Sequence, residues 1–163
     1  MAKKKTNLSE YKSAEIPSGA GMKIAIVVSE WNPEITEALF EAAYETLLAN
    51  GCKEKNIHRV NVPGSFELPA GAQFVAESKK PDAVICLGCV IQGETRHFDF
   101  ICDAVANGLV QLSLKHNKPF VFGVLTPNNM EQARARAGGN HGNKGVEAAV
   151  TAIKMVAVSK LLS

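Results

Sequence analysis

The chain alternates short apolar runs with longer segments in which apolar residues recur every three or four positions. The short runs predict buried strands at residues 23–28, 57–62, 83–91 and 119–125. The longer segments predict helices at residues 33–49, 69–78, 98–114, 128–137 and 146–162. Asn32 and Pro33 predict the start of the first helix, with Asn32 as its N-cap and Pro33 at its first helical position.

The order of these elements predicts the fold class. Repeated strand–helix units join parallel strands through right-handed crossovers. The third run is almost uninterruptedly apolar, as in a central strand covered by helices on both faces. We therefore expect an α/β protein, a three-layer α/β/α sandwich around a central four-stranded parallel sheet.

Residues 22–163 are predicted to form a single domain, preceded by a polar, flexible arm at residues 1–21. The last predicted helix is apolar on more than one side, with Val146, Val150 and Ile153 on one side and Ala148 and Ala152 on another. A helix buried around most of its girth in so small a domain indicates a subunit interface.

Composition and charge exclude several classes of protein. A hydrophobic fraction of 46% is too high for a disordered chain. The net charge of +2 includes Lys3, Lys4 and Lys5, so the remainder carries about −1 and lacks the basic surface of a dedicated nucleic-acid binder. No apolar run approaches the ~20 residues that span a bilayer. Four cysteines are too sparse for a disulfide-rich secreted domain, and we expect a cytoplasmic protein with reduced thiols.

Three motifs that suggest cofactor chemistry do not meet its requirements. Cys86 and Cys89 lie in one predicted strand at a spacing that sends their side chains to opposite faces, which disfavours a metal or redox pair. Gly19 and Gly21 precede a strand, whereas a dinucleotide-binding motif follows one. The glycine-rich stretch at 138–144 follows a helix and has Asn143 in place of the second glycine of a phosphate-binding loop.

Ligands of parallel α/β sheets bind beyond the carboxyl ends of the strands. The segments that follow the four predicted strands are residues 29–32, 63–67, 92–97 and 126–128. They contain the only tryptophan, a phenylalanine, a histidine, glutamates and small hydroxyl residues. This mixture suits a flat heterocycle with a polyhydroxy or phosphate appendage.

His97 is the best catalytic candidate, because it lies at a strand-to-helix junction and histidine exchanges protons near neutral pH. A lone loop histidine is also commonly structural. Arg134 and Arg136 fit either a solvated helix face or an anion site, and their spacing does not choose between the two arginines.

Five motifs, in order, resemble those of the 6,7-dimethyl-8-ribityllumazine synthase family. They are Trp31-Asn32, VPGSFE at 62–67, LGCVIQGETRHF at 87–98, FGVLT at 122–126 and GNKG at 142–145. The resemblance covers residues 22–162 and implies a flavodoxin-like fold. It also implies condensation of 5-amino-6-(D-ribitylamino)uracil with 3,4-dihydroxy-2-butanone 4-phosphate, releasing phosphate and water, with no metal or organic cofactor.

The resemblance implies roles for individual residues in the pyrimidine pocket. Trp31 would stack on the pyrimidine, where the family accepts Phe or Trp. Ser65, Phe66 and Glu67 would line the ribityl and ring pocket, with Glu67 accepting hydrogen bonds from hydroxyls.

The resemblance also implies roles for residues of the third motif. Cys89, Val90 and Ile91 would present backbone groups to the uracil edge. Glu94 and Thr95 would bind the phosphate through backbone amides.

His97 matches the family's general acid/base. Phe122, Arg136 and Lys144 match residues supplied across a subunit interface, with Arg136 gripping the phosphate. The resemblance thus implies small-molecule substrates and a homopentamer, twelve of which close into an icosahedral shell in some members. It implies that the N-terminal arm is flexible or adds to a neighbouring subunit, and it suggests riboflavin synthase as a partner.

Two positions depart from the commonest family pattern: Gln92 replaces a frequent Arg, and Cys89 replaces Thr or Ala. Two other classes fit the same pocket, a flavin- or lumazine-binding module without turnover and a cage-forming structural protein. The presence of both His97 and Arg136 argues against each, because binding alone needs no acid/base beside a phosphate grip.

Overall fold

A computed structural model describes residue 7 and residues 9–163. The elements of the main sheet and its covering helices are β1 (Ile24–Ser29), α1 (Pro33–Ala49), β2 (Ile57–Val62), α2 (Leu68–Lys79), β3 (Ala83–Cys89), α3 (His97–His116) and β4 (Phe120–Leu125). They are followed by α4 (Met130–Ala135), β5 (Ala137–Gly139), β6 (Gly142–Asn143) and α5 (Lys144–Leu161). Short 3₁₀ turns occupy Ser13–Glu15, Glu54–Asn56 and Ser65–Glu67.

The four long strands form one parallel sheet in the order β2-β1-β3-β4. β1 and β3 lie at its centre, and every residue of both strands is buried. One core cluster joins the sheet to α1 and α5, and a second cluster joins the opposite face to α2 and α3. The predicted three-layer α/β/α sandwich is confirmed.

The two faces of β3 explain why its cysteines do not pair. Cys86 packs in the cluster under α2 and α3, whereas Cys89 packs in the cluster under α1 and α5. Both thiols are free, as the odd spacing predicted. Their burial in opposite core clusters is typical of cysteines that serve packing.

Several predicted boundaries are wrong, and each error has a local cause. β3 stops at Cys89 instead of residue 91, because its partner strand ends there: Cys89 pairs with Leu125, the last residue of β4. α4 begins at Met130 instead of 128, because the side chain of Asn129 caps it by accepting from the N–H of Gln132.

The glycine-rich segment between α4 and α5 contains a small antiparallel hairpin, β5–β6. Ala137 pairs with Asn143, and Gly139 pairs with Gly142. Gly138 and Gly142 adopt positive φ values of 112° and 82°, which glycine accepts without strain and which turn the chain back on itself. The hairpin ends α4 at Ala135, two residues before the predicted position.

The described part of the N-terminal segment lies against the domain. Ile16 packs on the core cluster beneath α1 and α5, and the N–H of Gly19 donates to the carbonyl of Asn50 at 2.7 Å. The hydroxyl of Ser9 accepts a hydrogen bond from the N–H of Asn143 at 2.6 Å. The lysine run at 3–5 lies outside the described residues. Within the described part of the chain, no helix is both long and apolar enough to cross a membrane.

Candidate active site

The residues predicted to bind ligand are brought together in two groups. The first group lies at the carboxyl edge of the sheet, where β1, β2 and β3 end. It contains Trp31, Ser65, Phe66, Glu67, Cys89, Val90, Ile91, Glu94, Thr95 and His97. The second group contains Phe122 in β4, Arg136 directly after α4, and Lys144 at the start of α5.

Gly64 brings Trp31 and Glu67 together. A Cβ atom added to Gly64 would lie 3.1 Å from a Glu67 carboxylate oxygen and 3.2 Å from Cδ1 of Trp31. The indole and the carboxylate therefore flank one backbone position at the edge of the sheet. Trp31 remains 72% exposed and Phe66 56% exposed, so both rings present open surface for stacking.

Ser65 lies at the bottom of this edge, buried beside Gly88 of β3. A Cβ atom on Gly88 would lie 2.6 Å from Ser65 Oγ and 3.1 Å from Ser29 Oγ, so only glycine leaves room for both hydroxyls. Neither hydroxyl has a hydrogen-bond partner among the described residues. The sequence patterns did not single out Ser29 as a neighbour of Ser65, because the two residues come from different strand ends.

Asn32 connects the Trp31 segment to the end of β3. Its predicted role as a side-chain cap is wrong: it adopts left-handed backbone angles (φ 58°, ψ 57°) and makes no side-chain cap bond. Instead, its Nδ2 donates to the carbonyl of Cys89 at 3.0 Å. Asparagine tolerates this conformation better than most residues, which accounts for its use at this turn.

Two of the backbone groups predicted to face the uracil edge already have protein partners. The carbonyl of Cys89 accepts from Asn32, and the N–H of Val90 donates to Leu125 at 2.9 Å. Within the described residues, the N–H of Ile91 makes no hydrogen bond and is free to bind a ligand. Burial raises the pKa of the Cys89 thiol to about 11, so this thiol stays protonated at neutral pH and is a poor nucleophile.

Residues 94–97 form an exposed turn that leads into α3. His97 is the first residue of that helix, and its N–H lies 3.4 Å from Thr95 Oγ1. The first amides of a helix have no intrahelical acceptor and carry the positive end of the helix dipole. The turn therefore places a histidine beside backbone donors that can bind an anion.

Phe122 and Lys144 line a groove of about 800 Å³ between the end of α3, the outer edge of β4 and α5. Lys144 Nζ lies 2.8 Å from Glu147 Oε1, one turn further along α5. Arg136 approaches Lys144 through the backbone, since its carbonyl accepts from the Lys144 N–H at 2.9 Å. The second group thus lies on the side of the molecule where β4 is a free sheet edge.

Arg134, in the last turn of α4, and Arg136, directly after that helix, differ in their surroundings. Arg134 Nε lies 2.7 Å from Glu34 Oε1, and this hydrogen-bonded guanidinium holds the pKa of the Glu34 carboxyl below its usual value. Arg136 forms no ion pair with any described residue. An incoming anion would thus compete with Glu34 at Arg134 but not at Arg136.

No hydrogen bond or ion pair joins a member of the first group to a member of the second group among the described residues. Each group has exposed side chains of its own. The chain therefore presents two half-sites, an aromatic and hydroxyl-rich one at the carboxyl edge and a cationic one beside β4.

Comparison with known proteins places this chain in one family. A sequence model of the 6,7-dimethyl-8-ribityllumazine synthases matches residues 21–160. A relative of that name from Cytophaga hutchinsonii is 61% identical over 157 residues, covering 96% of this chain and 98% of its own length. Relatives of the same name from Parabacteroides distasonis and Christiangramia forsetii are 54% and 51% identical, covering 96% and 98% of this chain and 98% and 96% of their own lengths.

The protein is thus an enzyme of the transferase class with a flavodoxin-like α/β fold. It belongs to the 6,7-dimethyl-8-ribityllumazine synthase family.

Proposed function

We propose that the two half-sites act together in the reaction of this family. The chain condenses 5-amino-6-(D-ribitylamino)uracil with 3,4-dihydroxy-2-butanone 4-phosphate and releases phosphate and water. The product, 6,7-dimethyl-8-ribityllumazine, is the penultimate compound of riboflavin biosynthesis. The observation that carries the assignment of the site is the grouping of Trp31, Ser65 and Glu67 around Gly64 and Gly88 at the carboxyl edge.

The carboxyl edge binds the pyrimidine substrate in this proposal. Trp31 stacks on the ring with its exposed indole face, and Phe66 closes the pocket beside it. Glu67 accepts hydrogen bonds from ribityl hydroxyls, and the free hydroxyl of Ser65 supplies a further polar contact.

The backbone at the end of β3 reads the uracil edge. Ile91 donates its free N–H to the ring. Cys89 and Val90, whose backbone groups bond Asn32 and Leu125, form the end of the strand beside it. Since the side chain of Cys89 points into the core, the cysteine found there in place of Thr or Ala leaves this contact unchanged.

The phosphate of the second substrate binds at the start of α3. Glu94 and Thr95 contribute backbone amides, with the helix dipole favouring the negative charge. Arg136 supplies the cation, because it lacks the competing carboxylate that holds Arg134.

The chemistry consists of Schiff-base formation at the 5-amino group, elimination of phosphate, ring closure and dehydration. Each step moves a proton, and none requires a protein nucleophile, in keeping with the protonated state of Cys89. His97 transfers these protons as general acid and base. Holding two substrates in reacting geometry supplies an effective concentration of up to ~10⁵–10⁸ M in favourable cases, which accounts for most of the rate.

The complete site forms between subunits of a homo-oligomer, in which Phe122, Arg136 and Lys144 of one chain face the carboxyl edge of the next. The groove beside β4 supports this arrangement, since it exposes Met155 and Val158 next to Phe122. We propose a homopentamer, assembled further into an icosahedral shell, with the arm at residues 1–21 adding to a neighbouring subunit.

Two further expectations concern the cellular setting. The product is the substrate of riboflavin synthase, which is therefore the proposed partner. The free thiols of Cys52, Cys86, Cys89 and Cys102 suit a reducing compartment, and we propose that the enzyme acts in the cytoplasm.

The assay that tests the function follows lumazine absorbance and fluorescence with both purified substrates in metal-free buffer. The wild-type chain should form product, and His97→Ala should lower kcat by ~10²–10⁴-fold. Ligand-dependent quenching of Trp31 without product would favour a binding module instead. If neither product nor quenching is observed, only the fold assignment stands.

A further inference from the structure

Asn143 is a buried polar residue at the junction of the β5–β6 hairpin and α5. Its Oδ1 accepts from the N–H of Gly145 at 2.8 Å and so caps α5. Its Nδ2 donates to the carbonyl of Ala38 in α1 at 3.1 Å. The side chain thereby uses both ends of its amide, one for its own helix and one for a helix more than a hundred residues earlier in the chain.

The backbone of Asn143 is equally engaged. It pairs with Ala137 across the hairpin, and its N–H donates to Ser9 Oγ at 2.6 Å. These contacts join the hairpin, the start of α5, α1 and the N-terminal segment at a single residue.

Arg136 and Lys144 flank this junction. Arg136 immediately precedes β5, and Lys144 immediately follows β6. The Lys144 N–H bonds the Arg136 carbonyl at 2.9 Å, so the hairpin closes with both cationic residues side by side along the backbone. A shift of Asn143 relative to α1 would displace both ends of the hairpin at the same time.

We propose that Asn143 is a positioning residue for the phosphate half-site. Its tie to Ala38 sets the hairpin against α1, and its cap sets the first turn of α5, so that Arg136 and Lys144 keep fixed positions relative to the sheet. This inference rests on the proposed role of Arg136 as the phosphate grip.

A purely structural role would have a different consequence. A cap bond stabilises its helix wherever the helix lies, and its loss lowers the stability of the whole domain. A positioning role adds a selective loss in the use of the phosphate substrate, because the pyrimidine half-site is built on other elements, around Trp31 and Gly64.

The test compares Asn143→Ala with Asn143→Ser in the full-length chain. Alanine removes both side-chain bonds, whereas serine keeps a short acceptor suited to the N-cap and loses only the bond to Ala38. Thr46→Ala is the matched control. Thr46 is also buried, and its Oγ1 donates to the carbonyl of Ala42 in α1 at 2.7 Å. It lies about 12 Å along the helix from Ala38. Arg136→Ala reports the phosphate grip itself.

Three quantities are measured for each variant: KM for each substrate, Kd for inorganic phosphate and Tm. For Asn143→Ala we expect KM for the butanone phosphate and Kd for phosphate to rise about tenfold, below the ~10²-fold that a 1 Å misplacement can cost. KM for the pyrimidine should stay within about twofold of wild type, and Tm should fall by about 2–4 °C, as for Thr46→Ala. The KM for the butanone phosphate, the Kd for phosphate and the Tm of Asn143→Ser should each lie between the values of wild type and Asn143→Ala.

Two results would overturn the proposal in distinguishable ways. If Arg136→Ala weakens phosphate use but both Asn143 variants match Thr46→Ala, then Asn143 is only structural. If Arg136→Ala itself leaves phosphate use unchanged, the proposed phosphate grip fails and the positioning role fails with it. Should Asn143→Ala not fold, Asn143→Ser gives the same comparison with the helix cap retained.

Discussion

Replacing Arg136 by alanine is the most direct perturbation of the phosphate half-site, and the chain supplies its own control two residues away. Arg134 lies on the same short segment but is held by Glu34, with 2.7 Å between Nε and Oε1. Removing either arginine takes away one positive charge. Of the two, only the Arg136 guanidinium has no ion-pair partner among the described residues.

The size of the effect follows from the chemistry of the lost contact. A hydrogen bond to a charged group contributes about 1.5–3 kcal/mol, which corresponds to roughly 10- to 150-fold in an equilibrium constant. Because Arg136 is exposed, water screens much of the interaction, and we expect a value near the lower end, about tenfold. For Arg134→Ala, which breaks only an exposed ion pair, we expect a change within about twofold.

The assay measures initial rates of lumazine formation while each substrate is varied in turn. Arg136→Ala should raise KM for the butanone phosphate and leave KM for the pyrimidine near the wild-type value, since only one substrate carries phosphate. Equal losses for both substrates, or a larger effect from Arg134→Ala than from Arg136→Ala, would refute the assignment.

Other predictions concern the pyrimidine pocket, the packing of α5 and the buried thiols. Trp31→Ala should weaken pyrimidine binding by about 1–3 kcal/mol of stacking, measured by titration; unaltered affinity would remove Trp31 from the pocket. Gly145→Ala should destabilise the fold by about 1–3 kcal/mol in denaturant unfolding, because the new Cβ would overlap the Leu39 carbonyl; an unchanged midpoint would contradict this contact. Burial raises the pKa of Cys89 to about 11, so its stabilising contribution is complete below the unfolded pKa of about 8.5 and is lost as the pH rises towards 11. Tm should therefore fall over that pH range, and it should fall less in Cys89→Ala. Burial also raises the pKa of the Cys86 thiol, so neither thiol of β3 should react with iodoacetamide at pH 8. Rapid labelling of the folded protein would contradict their burial.

The regular part of the fold was predictable because its signals are local. A strand such as β1 and a helix such as α1 each carry their own periodicity, and repeated strand–helix units restrict the sheet to parallel connections. The location of the first half-site followed from the same reasoning, since residues after parallel strands meet at one edge.

The features that could not be predicted depend on partners distant in the sequence. Asn32 looks like an ordinary helix cap until the carbonyl of Cys89 is beside it. Arg134 and Arg136 are equivalent by spacing. The family resemblance favours Arg136, and the physical difference appears only with the approach of Glu34, a hundred residues before Arg134. The sequence marks Asn143 as a mismatch to a phosphate-binding loop and as part of the GNKG motif, but its bond to α1 appears only in the folded chain.

Mixed oligomers test most directly the claim that the active site is assembled from two half-sites on different subunits. His97→Ala chains, which should lose ~10²–10⁴-fold in kcat, and Arg136→Ala chains, which should lose about tenfold in kcat/KM for the butanone phosphate, are combined by coexpression and purified with two different tags. If His97 and Arg136 meet across an interface, random mixing leaves about a quarter of the sites intact, and the mixture should recover about that share of the wild-type kcat/KM for the butanone phosphate. Activity that stays at the mean of the two single variants would show that both residues serve the same chain's site, and would contradict the composite arrangement.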